Sequence, residues 1–121
     1  MSIGADKPIE LKPEPLNCIF CRIAKHDVPA KIVLEDAEFI AFYDINPVSK
    51  GHTLVIPKAH IRDFSALVTQ PAEFIKRYLQ FVEKVRLKLR ELYKPRGIFI
   101  RWNTDALLEV NHVHAHVVPV Y

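Results

Sequence analysis

Three histidines alternate with small apolar residues near the end of the chain, at His112, His114 and His116. Side chains of an extended strand point alternately to its two faces. A strand here would bury Val113 and Ala115 on one face and line the other face with imidazoles, which can act as nucleophiles, proton carriers or metal ligands near neutral pH. A chance cluster on a solvated strand is the alternative, and the strict alternation argues against it. The run therefore predicts a half-buried strand with a row of reactive rings along one surface.

The rest of the chain predicts an α+β domain around this strand. A long amphipathic helix is expected from about residue 70 to Tyr93, because apolar side chains recur there at steps of three and four. A short helix with Asn17 as its N-cap is expected around Cys18 and Cys21. Four further runs are rich in β-branched and aromatic residues: Lys31–Leu34, Phe39–Tyr43, His52–Pro57 and Gly97–Asn103. Pro57 would end its strand or place it at a sheet edge. The predicted fold is a five-stranded antiparallel sheet with one long and one short helix.

Composition limits the classes of function. Residues 1–16 carry Pro8, Pro13 and Pro15 among charges and predict an extended arm, which leaves residues 17–121 as the folded domain. The formal net charge of +3 is too small an excess for a nucleic-acid binder but suits a small anionic ligand. No apolar run approaches the roughly 20 residues of a membrane span, and the first residues lack the apolar core of a signal peptide. These features predict a cytoplasmic protein without a membrane or nucleic-acid partner.

The two cysteines, Cys18 and Cys21, are separated by two residues, a spacing that favours a metal site over a reduced or redox-active pair. Two thiolates and two histidines would complete a closed tetrahedral zinc site. One ion cannot easily bind all three histidines of the row, because the first and last start roughly 13 Å apart on a strand. An end histidine can therefore bind metal while His114 remains for nucleophilic attack on phosphorus. A metal-dependent hydrolase that uses the whole row ranks last for the same reason.

Several ordered motifs resemble those of the histidine triad (HIT) proteins, which are nucleotide-binding hydrolases and transferases. The alternating histidines followed by Val117 and Val118 match the pattern that names the family. The other matching segments are Cys18–Ile23, Val28–Ala30, Ala41–Pro47 and Gly51–His60, and together with the histidines they span roughly residues 17–119. The resemblance implies a homodimer joined through the long helix and the strand Gly97–Asn103.

The resemblance also implies roles for individual residues. His114 matches the nucleophile that forms a nucleotidyl-histidine intermediate, and His116 and His52 match residues that contact the phosphate. A purine nucleotide would be bound by Ile19, Phe20, Phe42, Asp44, Ile45 and Asn103. The zinc-bearing branch of the family has ligands that correspond to Cys18, Cys21, His60 and His112. From the residues alone, Phe42 and Ile45 could equally belong to the core, Asp44 could form only an Asx-turn, and His52 could simply begin a strand.

Two functions follow from this sequence. The first is a purine nucleotide hydrolase or transferase that cleaves at the α-phosphate of nucleoside phosphoramidates, dinucleoside polyphosphates or adenylates. The second is a nucleotide-binding adaptor module with weak catalysis. It is favoured by one departure from the family pattern: a Gly-Gln pair and a small polar residue normally precede the triad, whereas this chain has Leu107, Leu108 and Glu109 in a loop without glycine.

Overall fold

Helices and strands are spread along residues 17–121, the part of the chain that the computed structural model describes. The helices are α1 (Ile19–Ala24), α2 (Phe64–Leu67) and α3 (Ala72–Tyr93). The strands are β1 (Ile32–Glu35), β2 (Phe39–Tyr43), β3 (Thr53–Pro57), β4 (Gly97–Trp102) and β5 (Ala115–Val120), and Asp105–Leu107 form a 3-10 turn. The arm predicted for residues 1–16 lies outside the described residues, so the domain boundary at residue 17 stays a prediction.

The five strands form one antiparallel sheet in the order β1-β2-β3-β5-β4, which confirms the predicted fold class. Pro57 ends β3, but this strand lies at the centre of the sheet, so the edge position considered for it is wrong. The helix α2 was not expected, because four residues are too few to show a helical period. Its N-terminus is capped by the carboxylate of Asp63, which accepts a hydrogen bond from the amide of Ala66.

Alternate residues of the strands face two different apolar layers. In β2, Phe39 and Ala41 pack in the cluster that contains the apolar side of α3, whereas Ile40 and Phe42 pack in the cluster that contains α1. The same alternation runs through β3 and β5, because a strand residue and its direct partner share a face. Even-numbered residues of the central strands therefore point toward α1, and this side carries the histidines.

The long helix α3 fixes the sheet from the opposite side. The ring of Phe39 lies 5.4 to 5.5 Å from those of Phe74, Tyr78 and Phe81. The buried hydroxyl of Tyr78 donates a hydrogen bond to the carbonyl oxygen of Val55 at 2.8 Å. Aromatic burial of this kind contributes about 2 kcal/mol per ring, so the central strands are held rigidly where they carry the histidines.

Gly51 sets the path of the chain into β3. Its φ is +90°, and a Cβ atom there would lie 2.9 Å from the ring of Tyr93. Only glycine meets both conditions without strain. The tight turn delivers the next residue, His52, to the α1 side of the sheet. None of the helices in residues 17–121 combines the length and apolar character needed to cross a bilayer.

Candidate active site and metal centre

The triad histidines lie beneath α1 rather than along an open surface. Their exposed fractions are 0% for His112, 5% for His114 and 9% for His116. The prediction of one strand through all three histidines holds only for His116: β5 begins at Ala115, and His112 and His114 precede it. The alternation itself holds, because Val113, Ala115 and Val117 pack in the α3 layer. The cover comes from Phe20 of α1, whose ring meets the edge of the His114 ring with centroids 5.1 Å apart.

A backbone carbonyl fixes the proton of His114. Nδ1 of this ring lies 2.8 Å from the carbonyl oxygen of His112. A carbonyl can only accept, so Nδ1 carries the hydrogen and donates it. In the neutral ring the other nitrogen, Nε2, then has a free lone pair. That is the form in which imidazole attacks an electrophile.

A chain of hydrogen bonds places the hydrogens of His52 and His116 on Nε2, whereas the hydrogen of His114 is on Nδ1. The backbone N–H of Val48 donates to Nδ1 of His52 at 3.1 Å, so the neutral His52 ring carries its hydrogen on Nε2. This Nε2 lies 2.9 Å from Nδ1 of His116 and donates to it. His116 must therefore carry its own hydrogen on Nε2. The side-chain amide of Asn103 lies 3.4 Å from that atom, and we assign its oxygen as the acceptor.

Asp44, His52 and His116 also bring three possible ligand atoms within 4.8 Å of one another. A metal ion on His52 Nε2 would have to displace the proton that the Val48 amide places there. The cluster therefore fits a hydrogen-bond relay better than a metal site. Asp44 Oδ1 accepts a hydrogen bond from the amide of Asn46, which forms the Asx-turn considered as the alternative role of this residue, and its Oδ2 lies 3.5 Å from His52 Nε2.

Burial keeps the three rings of this site neutral. It is the largest cause that lowers the pKa of His52 and His114, and it outweighs the carboxylate of Asp44, which raises both. The pKa of His116 falls to about 4, first through burial and then through His114, His52 and Arg101 nearby. At neutral pH the lone pair on His114 Nε2 and the donor on His116 Nε2 therefore coexist.

This low pKa predicts a loss of stability in mild acid. The unfolded chain takes up a proton on His116 near pH 6.5, whereas the folded chain resists until about pH 4, so the free energy of unfolding should fall as the pH drops through that range. The expected loss is about 2 kcal/mol, because each pKa unit corresponds to about 1.4 kcal/mol and part of the effect is screened. Urea unfolding across the range, compared with His116→Gln, measures it. The variant should show a shallower decline, and parallel declines would contradict the prediction.

Four further ligand atoms meet at the other end of the triad, from Cys18, Cys21, His60 and His112, all within 4.8 Å of one another. Cys21 Sγ lies 3.2 Å from Nδ1 of His60 and 3.4 Å from Nδ1 of His112, and Cys18 Sγ lies 3.5 Å from the latter. Sulfur and nitrogen ligands of a tetrahedral zinc ion are separated by about 3.6 Å. The four side chains fit such an ion in both chemistry and spacing.

Local structure explains how these ligands converge. Cys18, rather than the expected Asn17, is the N-cap of α1, and its Sγ accepts the amide of Cys21, which places both sulfurs on one side of the first turn. The amide of Val113 donates to the carbonyl of Ile61, which holds the loop of His60 beside His112. His112 Nε2 donates to the carbonyl of Pro57 at 2.7 Å, so its Nδ1 presents a lone pair toward the cysteines.

Comparison with known proteins agrees with this arrangement. The sequence profile of the HIT domain matches residues 25–121. The chain belongs to the HIT family. A crystal structure of a HIT family protein from Bacillus subtilis superposes with a TM-score of 0.80 at 40% identity, covering 87% of this chain and 74% of that one.

Two other HIT relatives bear on the activity and on the metal centre. An adenosine 5′-monophosphoramidase of Schizosaccharomyces pombe is 37% identical over 106 residues, which cover 86% of this chain and 74% of the relative. A zinc-bound histidine triad family protein from Mycobacterium smegmatis superposes with a TM-score of 0.76 at 35% identity, covering 88% of this chain and 76% of the other.

The residues expected to bind a nucleotide lie on the side of the sheet that carries His114 and His116. Phe20 and Phe42 are buried and pack edge to face with centroids 5.5 Å apart. Ile19 is 41% exposed and Ile45 is 92% exposed, so Ile45 is not a core residue. Asn103 lies beside His116. Ile19 and Ile45 therefore expose apolar surface, and Ile45 does so directly after Asp44 in the chain.

Some groups at this site were not expected from the sequence. The Val48 amide acts through its backbone and leaves no signal in the sequence. Arg101 lies opposite His116 in the β4–β5 register and could have been found from strand alternation, because it lies two residues before Asn103, which the resemblance had selected. In the loop before the triad, Asp105 adopts a φ of +56°, a conformation that usually favours glycine. The negative charge of Glu109 acts to raise the pKa of His114, against the larger effect of burial. Leu108, in the same loop, is half-buried.

Proposed function

We propose that this HIT domain is a nucleotide hydrolase or nucleotidyl transferase that cleaves at the α-phosphate of purine nucleotide derivatives. The observation that carries the proposal is the lone pair on His114 Nε2, which the carbonyl of His112 enforces. The monophosphoramidase activity in the name of the fission yeast relative supports it. Phosphoramidates, dinucleoside polyphosphates and adenylates all present an α-phosphorus to this nitrogen.

In the first step His114 Nε2 forms a bond to the α-phosphorus. The bond to the leaving group breaks, and that group departs with the electron pair and takes up a proton from solvent. The imidazole gains positive charge as the bond forms, and its Nδ1–H bond to the His112 carbonyl strengthens accordingly. The carboxylates of Asp44 and Glu109 also favour a positive ring at His114. In the second step water attacks phosphorus and loses a proton to solvent, the bond from phosphorus to Nε2 breaks, and its electron pair returns to the ring as the nucleoside monophosphate leaves.

His116 would donate a hydrogen bond to the phosphate in this scheme. Its Nε2–H is a preorganised donor for an oxygen on phosphorus, and the chain from the Val48 amide through His52 holds the proton on that nitrogen. Oδ2 of Asp44 is left to accept from ribose hydroxyls, since Oδ1 is bound to the Asn46 amide. The exposed side chains of Ile19 and Ile45 would contact the base, with Phe20 and Phe42 behind them.

Covalent trapping tests the proposal. The protein is mixed with an adenosine phosphoramidate and quenched, and its peptides are analysed by mass spectrometry. A nucleotidyl group on the peptide that contains His114, together with release of adenosine monophosphate, is the expected result. Absence of both would exclude the enzymatic function.

Zinc binding and dimerisation belong to the same proposal. The four converging ligand atoms and the zinc-bound mycobacterial relative support one structural zinc ion on Cys18, Cys21, His60 and His112. When bound, the ion would tie α1 to the loop that enters β5. A homodimer is supported by β4, an edge strand that exposes 41% of Phe99. The cytoplasmic location stays a prediction from the sequence.

A nucleotide-binding module with weak chemistry is the second candidate, and the loop before the triad favours it. The side chain of Leu108 has no group that could donate to a phosphate oxygen, and its backbone amide already donates to the carbonyl oxygen of Asp105 at 3.0 Å. Glu109 is exposed, and its charge reaches His114. A carboxylate at this place repels an anionic substrate where a donor would stabilise it.

The loop predicts that catalysis can be improved by substitution. Leu108→Gln with Glu109→Ser should raise kcat by about 10-fold or more, because one added donor to a phosphate oxygen contributes up to about 3 kcal/mol in the transition state. Steady-state turnover of an adenosine phosphoramidate measures the effect. Leu107→Gln, which changes the neighbouring exposed residue, is the matched control. An unchanged or lower kcat in the double variant would show that the loop does not limit turnover.

A further inference from the structure

We propose that Arg101 binds the phosphate group that follows the reacting phosphate, so that this domain prefers substrates whose leaving group is itself a phosphate. The inference rests on the proposed function and narrows its substrate class. It concerns a cation at the rim of the site that neither the hydrogen-bond relay nor the metal centre uses.

The strand register places Arg101 beside the triad. In the β4–β5 pair, Arg101 is the direct partner of His116, and Trp102 is the partner of Ala115. Direct partners share a face of the sheet, so Arg101 projects on the histidine side while Trp102 packs toward α3. Asn103, two residues further on, lies on the same side and reaches His116 Nε2. The guanidinium group therefore belongs to the rim of the nucleotide site.

The side chain of Arg101 is available for an anion. It is exposed, and its Cζ lies 5.5 Å from the centroid of the Phe99 ring. Within residues 17–121 it forms no ion pair with a carboxylate, in contrast to Arg62, Arg77 and Arg86. A planar guanidinium with five donors matches the oxygens of a phosphate, and stacking on an aromatic ring orients it.

The strand register places Arg101 beside His116, the phosphate-binding histidine, rather than beside the nucleophile His114. Beyond burial, which is the main cause, Arg101 lowers the pKa of His52 and of His116. The charged groups that act on His114 are instead Asp44 and Glu109. An in-line displacement places the leaving group opposite the attacking nitrogen. A cation beside His116 and away from His114 is thus positioned for the next phosphate of a polyphosphate chain.

This position also explains how the domain can accept polyphosphates despite Glu109. The loop before the triad supplies a carboxylate where donors are expected, and an additional negative phosphate would suffer from it. The cation of Arg101, which pairs with His116 in the strand register, offsets that repulsion for substrates long enough to reach it. A phosphoramidate with a neutral amine gains nothing from Arg101.

The test compares two substrates of the same nucleoside, an adenosine phosphoramidate with a neutral amine and diadenosine triphosphate. Arg101→Gln should lower kcat/KM for the triphosphate by about 10- to 100-fold, as expected for a lost charge-assisted hydrogen bond, and change that for the phosphoramidate by less than about twofold. Arg96→Gln removes an equal charge from an exposed position just before β4 and should affect neither substrate. Equal losses on both substrates, or no loss on either, would overturn the proposal.

A binding measurement separates this inference from the proposed catalysis. Calorimetry should show that adenosine diphosphate binds the wild-type protein more tightly than adenosine monophosphate, and that Arg101→Gln abolishes the difference. If the wild-type protein turned over neither substrate, the enzymatic function would fail while this difference still tested Arg101. Equal affinities for the two nucleotides in the wild-type protein would overturn the role of Arg101 whatever the turnover.

Discussion

His114→Ala is expected to reduce nucleotide turnover by about a thousandfold or more, the usual scale for loss of a covalent nucleophile. The physical reason is the fixed proton on Nδ1, which leaves Nε2 of this ring as the lone pair available to phosphorus. His116 cannot replace it, because the relay from Val48 places a hydrogen on its Nε2. Single-turnover kinetics and detection of the nucleotidyl peptide measure the loss.

Two controls distinguish lost chemistry from lost structure. His114→Gln keeps most of the volume beneath Phe20 and should be equally inactive while still binding adenosine monophosphate. His26→Ala removes an exposed histidine that bonds to Glu35, 2.7 Å away, and should retain full activity. If His114→Gln kept turnover within tenfold of wild type (about 1.4 kcal/mol), the assignment of the nucleophile would be wrong.

Cys21→Ser is expected to abolish zinc binding and to lower the free energy of unfolding by about 3 kcal/mol or more. The Cys21 sulfur lies within 3.4 Å of both candidate histidine ligands, so the substitution replaces a thiolate ligand that contacts both of them. Metal analysis of protein purified without added zinc should find about one ion per wild-type chain and almost none in the variant. Denaturant unfolding measures the change in stability.

A chelator provides the matched control for the zinc prediction. It should destabilise the wild-type protein by about as much as the substitution does, and it should have little further effect on Cys21→Ser. A wild-type protein that contains no zinc and is indifferent to the chelator would refute the structural metal. A loss of stability in the variant that the chelator does not reproduce would assign the effect to packing in the α1 layer.

The sequence predicts the sheet and the grouping of site residues well, because both follow from local patterns. Strand alternation correctly separates Val113 and Ala115 from the histidines, and the spacing of Cys18 and Cys21 correctly suggests one helical turn. The resemblance to HIT proteins selects His60 and His112 as partners for the cysteines, and these four side chains do converge. Such inferences need only the period of a strand or helix and the chemistry of side chains.

The remaining features depend on tertiary contacts that no local pattern encodes. The row of histidines is buried because α1 folds back over it, which the composition of the row does not reveal. The main-chain amide of Val48 decides which nitrogen of His52 carries the hydrogen, and the side chain of Val48 plays no part in that contact. The N-cap at Cys18 displaces the expected Asn17 because the cysteine sulfur accepts the amide of Cys21.

The main-chain partners of the triad have a consequence for protein design. The carbonyl of Pro57 holds the proton of His112 on Nε2, that of His112 holds the proton of His114 on Nδ1, and the Val48 amide acts through His52 to hold that of His116 on Nε2. One amino acid type thus provides both neutral tautomers, Nε2–H at His112 and His116 and Nδ1–H at His114, through backbone groups and the ring of His52. Grafting the three histidines onto a strand of another scaffold would therefore copy the sequence without its reactivity. The turn at Gly51 and the end of β3 would have to be transferred with them.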